Sequence, residues 1–468
     1  MTQPYPKQRF LRGNFAPLRV ECDAPDLVIE GELPRDLHGT LFRNGPNPLY
    51  PPRDQYHMFS GDGMVHAFRI EDGRVSYRNR WVRTAKFERE WAAGQALYGT
   101  FGNPATSDAA VRGTPYNVAN TNVLFHGGRL LALEEFNPPF ELDVATLASR
   151  GSHDYGGALR GPMTAHPKVD AESGALHAFA YGLQGFGSKR MAYHHINAAG
   201  ELTRTVEFDA PYAAMVHDFI VTQRHIVFPI FPLTISPERA RRGGPMLAWE
   251  PQLPSLLGVM PRDGEARDIE WYEGEACCVF HPLNAYDDGD MIVADMLRYD
   301  AGPGFPGADG RAADPAQAVA RLERWRLPLG GATRSYSTER LDEQASEYPR
   351  LDERYAGRRH RFGYFATTQG EQGRAAVFDE LARYDFTRGH KEVYRLPVGD
   401  FVSEPVFVPR TADALEGQGY LLAVVYRGRE ARSDLMIMDA EQISAGPLAI
   451  AGLETRVPFG FHGNWMAA

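Results

Sequence analysis

The segment HAFRIEDGRVSYRNRWV (66–82) holds short runs rich in Val, Ile, Phe and Tyr on either side of Asp72-Gly73. A Gly-containing two-residue break between such runs supplies the positive φ that a tight primed turn needs. The segment reads as a β-hairpin. Similar runs recur in VLFHGGRLLALEE (123–135) around Gly127-Gly128, in RHIVFPIF (224–231) and in GYLLAVVYRGREARSDLMIMDA (419–440). Helical periodicity is scarce, with short candidates at 88–97, 237–241 and 315–320. Many short strands at regular spacing predict an all-β sandwich, barrel or propeller. No fixed-period WD or kelch signature selects the propeller. DAGPGFPGADGRAADPA (300–316) reads as a long loop, and no composition shift divides the chain, so 1–468 is expected to be a single domain.

Composition narrows the function classes. The 468 residues include 11% aromatics and 24% charged residues, with 47 Gly and 34 Pro spread along the chain, which excludes disorder and allows a substantial core. The formal charge is −10 and no basic block is present, which argues against nucleic acid as the main partner. Three cysteines (Cys22, Cys277, Cys278) cannot make a disulfide framework and fit a reducing compartment. MTQPYPKQRFLRGNF lacks the apolar run of a signal peptide, and no stretch approaches the ~20 apolar residues of a membrane span. The expectation is an acidic cytoplasmic protein.

Familiar catalytic motifs are missing: there is no Gly-rich phosphate loop, CxxC pair, HExxH or GxSxG. The Cys277-Cys278 pair in ACCVF reads as buried and structural, and GDGMVH (61–66) as a turn. Most of the 15 histidines carry no signal: His126 adjoins a Gly-Gly turn, the His194-His195 pair reads as near a loop, and His390 follows Gly389 at a turn. Four adjoin apolar strand-like runs: His166 in TAHPK, His217 in MVHDF, His281 in VFHPLNA and His462 in FGFHGNW. Their irregular spacing makes no local metal motif, but a closed β architecture can bring four strand ends to one axis. Four neutral imidazoles suit iron, copper or zinc, and need outer carboxylates to fix their tautomers. Glu135 in LALEE, Glu347 in SEYPR and Glu404 in SEPVFVPR are candidates; each taken singly reads as a solvated or loop carboxylate.

In their order along the chain these blocks resemble the carotenoid cleavage oxygenase family. The resemblance also runs through GELPRDLHGTLFRNGPNP (31–48), FSGDGMVHAF (59–68), ANTNVLFHGGRLLALEE (119–135) and EYPRLDERYAGRRHRFGY, and so spans nearly the whole chain. It implies a seven-bladed β-propeller with long loops and short helices capping one face. It implies a non-haem Fe(II) held by His166, His217, His281 and His462, with Glu135, Glu347 and Glu404 hydrogen-bonded to three of those imidazoles. The implied partners are O2 and an apolar alkene, whose C=C bond is split into two carbonyl products without an organic cofactor. A non-catalytic propeller scaffold is the reading from another class, and the complete His and Glu set argues against it.

Stilbene-cleaving members of the family grip the 4-hydroxyl of a phenolic ring with a Tyr and a Lys. Local alignment places Phe101 and Glu134 at those positions, which are taken as substrate-selecting. Phe has no hydrogen-bonding group for a phenol oxygen, and a carboxylate would repel a phenolate. Tyr98 lies three residues earlier and, on a strand, points the other way. RNGPNP (43–48) resembles the carotenoid-cleaving branch. The apolar region 230–260, with Arg239, Arg241 and Arg242, suits peripheral membrane contact, unless its apolar residues turn inward. YGTFGNPATSD (98–108) also resembles the aryl-alkene branch. The expected substrate is a carotenoid or apocarotenoid first, and a stilbenoid or aryl-alkene second.

Overall fold

A computed structural model describes residues 3–331, 333–369 and 377–468. The opening hairpin forms as read: Gly63–Glu71 pairs with Arg74–Trp81, and Asp72 (φ 51) and Gly73 (φ 73) make the turn. Positive φ at both central residues is the geometry that matches the right-handed twist of the flanking strands. Asn122–His126 and Arg129–Leu133 repeat it across Gly127 and Gly128, and Gly419–Arg427 pairs with Arg432–Asp439. GDGMVH is no turn, because Gly63 already begins a strand. Its missing side chain serves a close approach instead: a Cβ there would collide with the Ala119 carbonyl.

Among the described residues there are seven antiparallel sheets of four or more strands, plus one two-stranded ribbon. The fold is a seven-bladed β-propeller. The chain divides into two compact units.

The first unit comprises 1–165, 396–414 and 418–468, and holds three sheets. One of them gathers Gly39–Pro46, Gly63–Glu71 and Arg74–Trp81, and takes the C-terminal strand Gly463–Ala467 on its edge in the register Arg43↔Gly463. Alternate residues of this sheet feed two cores. Leu41, Phe68 and Ile70 pack with Leu422, Val424 and Leu435, whereas Phe42, Val65 and Ala67 pack with Val123, Leu130 and Phe140. A sheet covered on both faces loses the inside–outside alternation, which is why Gly39–Pro46 is buried throughout. Each fully buried Leu or Phe contributes roughly 1.5–3 kcal/mol.

The second unit, 166–395 and 415–417, holds four consecutive four-stranded sheets and the ribbon Leu233–Ile235 with Leu247–Trp249. Cys277 and Cys278 are buried and reduced, and they face opposite ways: Cys277 joins the core with Leu257 and Trp325, Cys278 the core with Leu322 and Phe365. His194 and His195 lie within the strand Arg190–Ile196, where their Nδ1 atoms meet the Thr205 and Thr203 hydroxyls, and not beside a loop. Many apolar residues of 230–260 turn inward, with Leu233, Ile235, Leu247, Ala248 and Leu257 buried, while Met246, Trp249, Leu253 and Leu256 stay partly exposed. Arg239 latches that segment by bonding the Thr234 and Pro245 carbonyls and Glu250. The segment 300–316 is irregular, and the candidate helix after it shrinks to one 3-10 turn, Pro315–Gln317. Among the described residues no helix is long and apolar enough to cross a membrane.

Helix α2 (Pro237–Arg241) lies where the sequence placed it. Helix α1 (Ala85–Ala93) starts three residues earlier than expected because its caps decide its bounds: Thr84 Oγ accepts the Phe87 N–H, and Gly94 closes the helix at φ 68. Its inward face carries charge. Lys86 Nζ bonds Asp62 at 2.7 Å and Glu90 at 2.8 Å, all three being buried. Burial pulls the Lys86 pKa down, but the two carboxylates outweigh it and hold the amine protonated. Glu90 also accepts the Leu97 and Tyr98 N–H groups, so this triad fixes the start of the loop that carries Phe101. Lys86→Met should cost about 3–5 kcal/mol, because it leaves two buried carboxylates without their cation. Chemical denaturation checks this, and a loss under ~1 kcal/mol would mean the triad is replaceable.

Candidate metal centre

Three consecutive sheets of the second unit each present a histidine at their edge strand. His166 stands just before Lys168–Val169, His217 before Ile220–Val221, and His281 inside Cys278–Asp287 where the pairing slips. A bulge re-aims side chains and bends a strand, and here it turns His281 toward the other two. His166 Nε2 lies 3.0 Å from His217 Nε2, which lies 3.1 Å from His281 Nε2.

Tautomers follow from the outer contacts. His281 Nδ1 is 2.5 Å from Glu347 Oε2, an acceptor, so Nδ1 carries the proton and Nε2 presents its lone pair. Glu347 also accepts the Tyr299 hydroxyl at 2.8 Å and the Tyr348 N–H at 2.7 Å. Burial alone would raise the Glu347 carboxyl; His281, the Tyr348 N–H and the Tyr299 hydroxyl outweigh it and hold it below its ordinary value. Tyr348 reaches this bond in a left-handed conformation (φ 54), a strain of about 1–2 kcal/mol, where the strand pairing also slips. His166 Nδ1 lies 3.9 Å from the buried Asp218, which Lys168 neutralises at 2.8 Å. The sequence reading missed Asp218, although it directly follows His217 in MVHDF.

The nitrogen set fits a divalent metal. Imidazole nitrogens bound at about 2.1 Å and at right angles lie about 3.0 Å apart. Borderline metals such as iron and zinc favour imidazole, and the Glu347-held proton leaves His281 Nε2 free of hydrogen.

In the first unit, His462 precedes the strand Gly463–Ala467 and its Nδ1 lies 2.8 Å from Glu404 Oε1. Glu404 Oε2 accepts the Gly463 N–H and the buried Arg43 guanidinium, which also bonds the Phe461 carbonyl. Gly463 is needed there, since a Cβ would collide with the Phe42 carbonyl. Arg43 was legible in the sequence only as part of RNGPNP, not as the partner of Glu404. Glu135 is buried just beyond Arg129–Leu133.

Phe101 is half-buried, its N–H on Ser60 Oγ at 2.5 Å and its ring 5.2 Å from both His57 and Phe59. Phe59 in turn meets Phe461, at 5.9 Å. Tyr98 turns its hydroxyl to Thr114; residues 98–101 form a loop and not a strand, so strand alternation does not set its direction. Glu134 is buried and accepts from Asn137 and from the Phe136 N–H. Burial chiefly, against those hydrogen bonds, raises its carboxyl from 4.5 to about 7.

The family model described as retinal pigment epithelial membrane protein (RPE65) matches residues 15–467. Isoeugenol monooxygenase of Pseudomonas putida is 38% identical over 98% of each chain. The crystal structure of Pseudomonas brassicacearum lignostilbene dioxygenase superposes with a TM-score of 0.96 over 100% of both chains at 34% identity. Cobalt-substituted apocarotenoid oxygenase of Synechocystis gives 0.86 over 97% of each at 29% identity. The chain belongs to the RPE65/carotenoid cleavage oxygenase family. It is an alkene-cleaving oxygenase of that family.

A folded pKa above the unfolded value means the folded Glu134 prefers its proton. Stability is therefore full below about 4.5 and falls as pH rises through about 7. Glu134→Gln should remove that loss, at most about 3 kcal/mol, so that its melting curve at pH 8 lies above the parent's and the two converge at pH 5. Parallel curves would show that Glu134 does not titrate in this range.

Proposed function

We propose that this oxygenase cleaves the C=C bond of an aryl-alkene, using ferrous iron held by His166, His217, His281 and His462. The observation that carries the substrate class is the end-to-end match to a lignostilbene dioxygenase, closer than the match to an apocarotenoid oxygenase. Identity to an isoeugenol monooxygenase supports the same class. A carotenoid or apocarotenoid, ranked first on sequence, becomes the second reading. Its membrane-contact argument now rests on the exposed Arg241 and Arg242 with the partly exposed Met246, Trp249, Leu253 and Leu256, because many other apolar residues of 230–260 are buried. Three cysteines outside any disulfide suit the cytoplasm.

When bound, iron supplies the centre at which O2 is activated for attack on the alkene. The chain's own residues do the rest. Glu347 and Glu404 hold protons at Nδ1 of His281 and His462 and so aim both Nε2 lone pairs outward. Glu135 takes the third outer-carboxylate role. Phe280, packed 5.3 Å from His217, keeps water from that imidazole. Phe59, Phe101 and Phe461 supply flat apolar surface that suits an aryl ring.

The test is anaerobic loading with Fe(II), then aerobic incubation with isoeugenol, 4-hydroxystilbene and an apocarotenal in parallel, with product masses recorded. Aldehyde fragments are expected from the aryl-alkenes; fragments from the apocarotenal alone would overturn the substrate class. Glu347→Gln should weaken iron retention on the order of 10- to 100-fold, measured as metal content against a chelator series. Unchanged retention would remove Glu347 from the outer shell.

A further inference from the structure

His57, in RDQYHMFS (53–60), takes no part in the metal chemistry. It caps a single 3-10 turn, Met58–Ser60, and its Nδ1 accepts the Phe59 N–H at 3.2 Å. A backbone N–H can only donate, so Nδ1 carries the lone pair and the neutral ring must hold its proton on Nε2. Burial lowers the imidazole to about 4, which keeps it neutral across the working range of pH. Among the described residues none accepts from Nε2.

The surroundings say what this donor faces. The ring packs edge-on against Phe59 at 4.5 Å and lies at 5.2 Å from Phe101. Phe59 links it to Phe461, the residue before His462. His57, Phe59 and Phe101 each keep part of their surface reachable. Of the hydroxyls nearby, Tyr98 is paired with Thr114, and Ser60 Oγ accepts the Phe101 N–H. Phe59 and Phe101 therefore flank a donor whose proton position is locked by the backbone.

We propose that His57 Nε2–H recognises the ring oxygen, hydroxyl or methoxyl, of the aryl-alkene substrate, in place of any group at position 101. The proposal rests on the aryl-alkene reading and makes it specific. A donor that a bound ligand cuts off from water without supplying an acceptor is costly, so a ligand bearing that oxygen should bind about tenfold more tightly than one lacking it.

Two variants separate this role from capping. His57→Asn keeps an acceptor for the Phe59 N–H but has no donor at the Nε2 position; His57→Gln carries a donor there and gives up the cap. The measurement is anaerobic binding of 4-propylphenol and of propylbenzene to the full-length iron-loaded protein by calorimetry. The parent and His57→Gln should prefer 4-propylphenol, and His57→Asn should bind the two alike. Preference kept in His57→Asn, a parent that binds both alike, or variants that lose both ligands equally would each overturn the role. Binding is read without turnover, so failure to cleave aryl-alkenes would sink the functional reading while leaving the His57 contrast to be judged by itself.

Discussion

Imidazole Nε2 atoms held about 3 Å apart can close together on one cation, and where none of them carries a proton their lone pairs repel without it. His166, His217 and His281 are held that way, and the second unit carries visible costs to do so. The strand bearing His281 slips register, the strand bearing Glu347 slips as well, and Tyr348 takes a left-handed backbone. Such departures persist only where the surrounding sheet packing over-determines them. The cores that flank those strands, built around Trp325 and Phe365, supply that rigidity.

Charge is arranged with equal care. Neutral ligands leave a divalent metal to be balanced from outside, yet each buried carboxylate must itself be compensated. Glu404 is matched by Arg43 and Asp218 by Lys168, both at 2.8 Å. Glu347 is different, because its partners Tyr299, Tyr348 and His281 bring hydrogen bonds and no permanent cation. Of these three carboxylates it is the one with a full negative charge left over for the metal.

The hairpins were legible because Asp72-Gly73 and Gly127-Gly128 state their turn geometry directly. The metal histidines were legible because each adjoins an apolar strand, and the ordered blocks around them resemble one family. What sequence hid was contact at long separation. Arg43 meets Glu404 across 361 positions, and nothing local marks the pairing. Asp218 was overshadowed by the histidine before it. Helix α1 was misplaced because its buried face carries Lys86 and Glu90 where an apolar stripe is expected. Gly63 was taken for a turn because close backbone approach and positive φ leave the same letter in the sequence. His57 gave no signal, since its value lies in a proton position set by a neighbouring N–H.

The central claim is that one iron sits among these imidazoles. Anomalous diffraction at the iron edge, on crystals loaded with Fe(II) without oxygen, tests it most directly. A single peak within bonding distance of Nε2 of His166, His217, His281 and His462 is expected. No peak, or a peak whose ligands omit any of His166, His217 and His281, would contradict it.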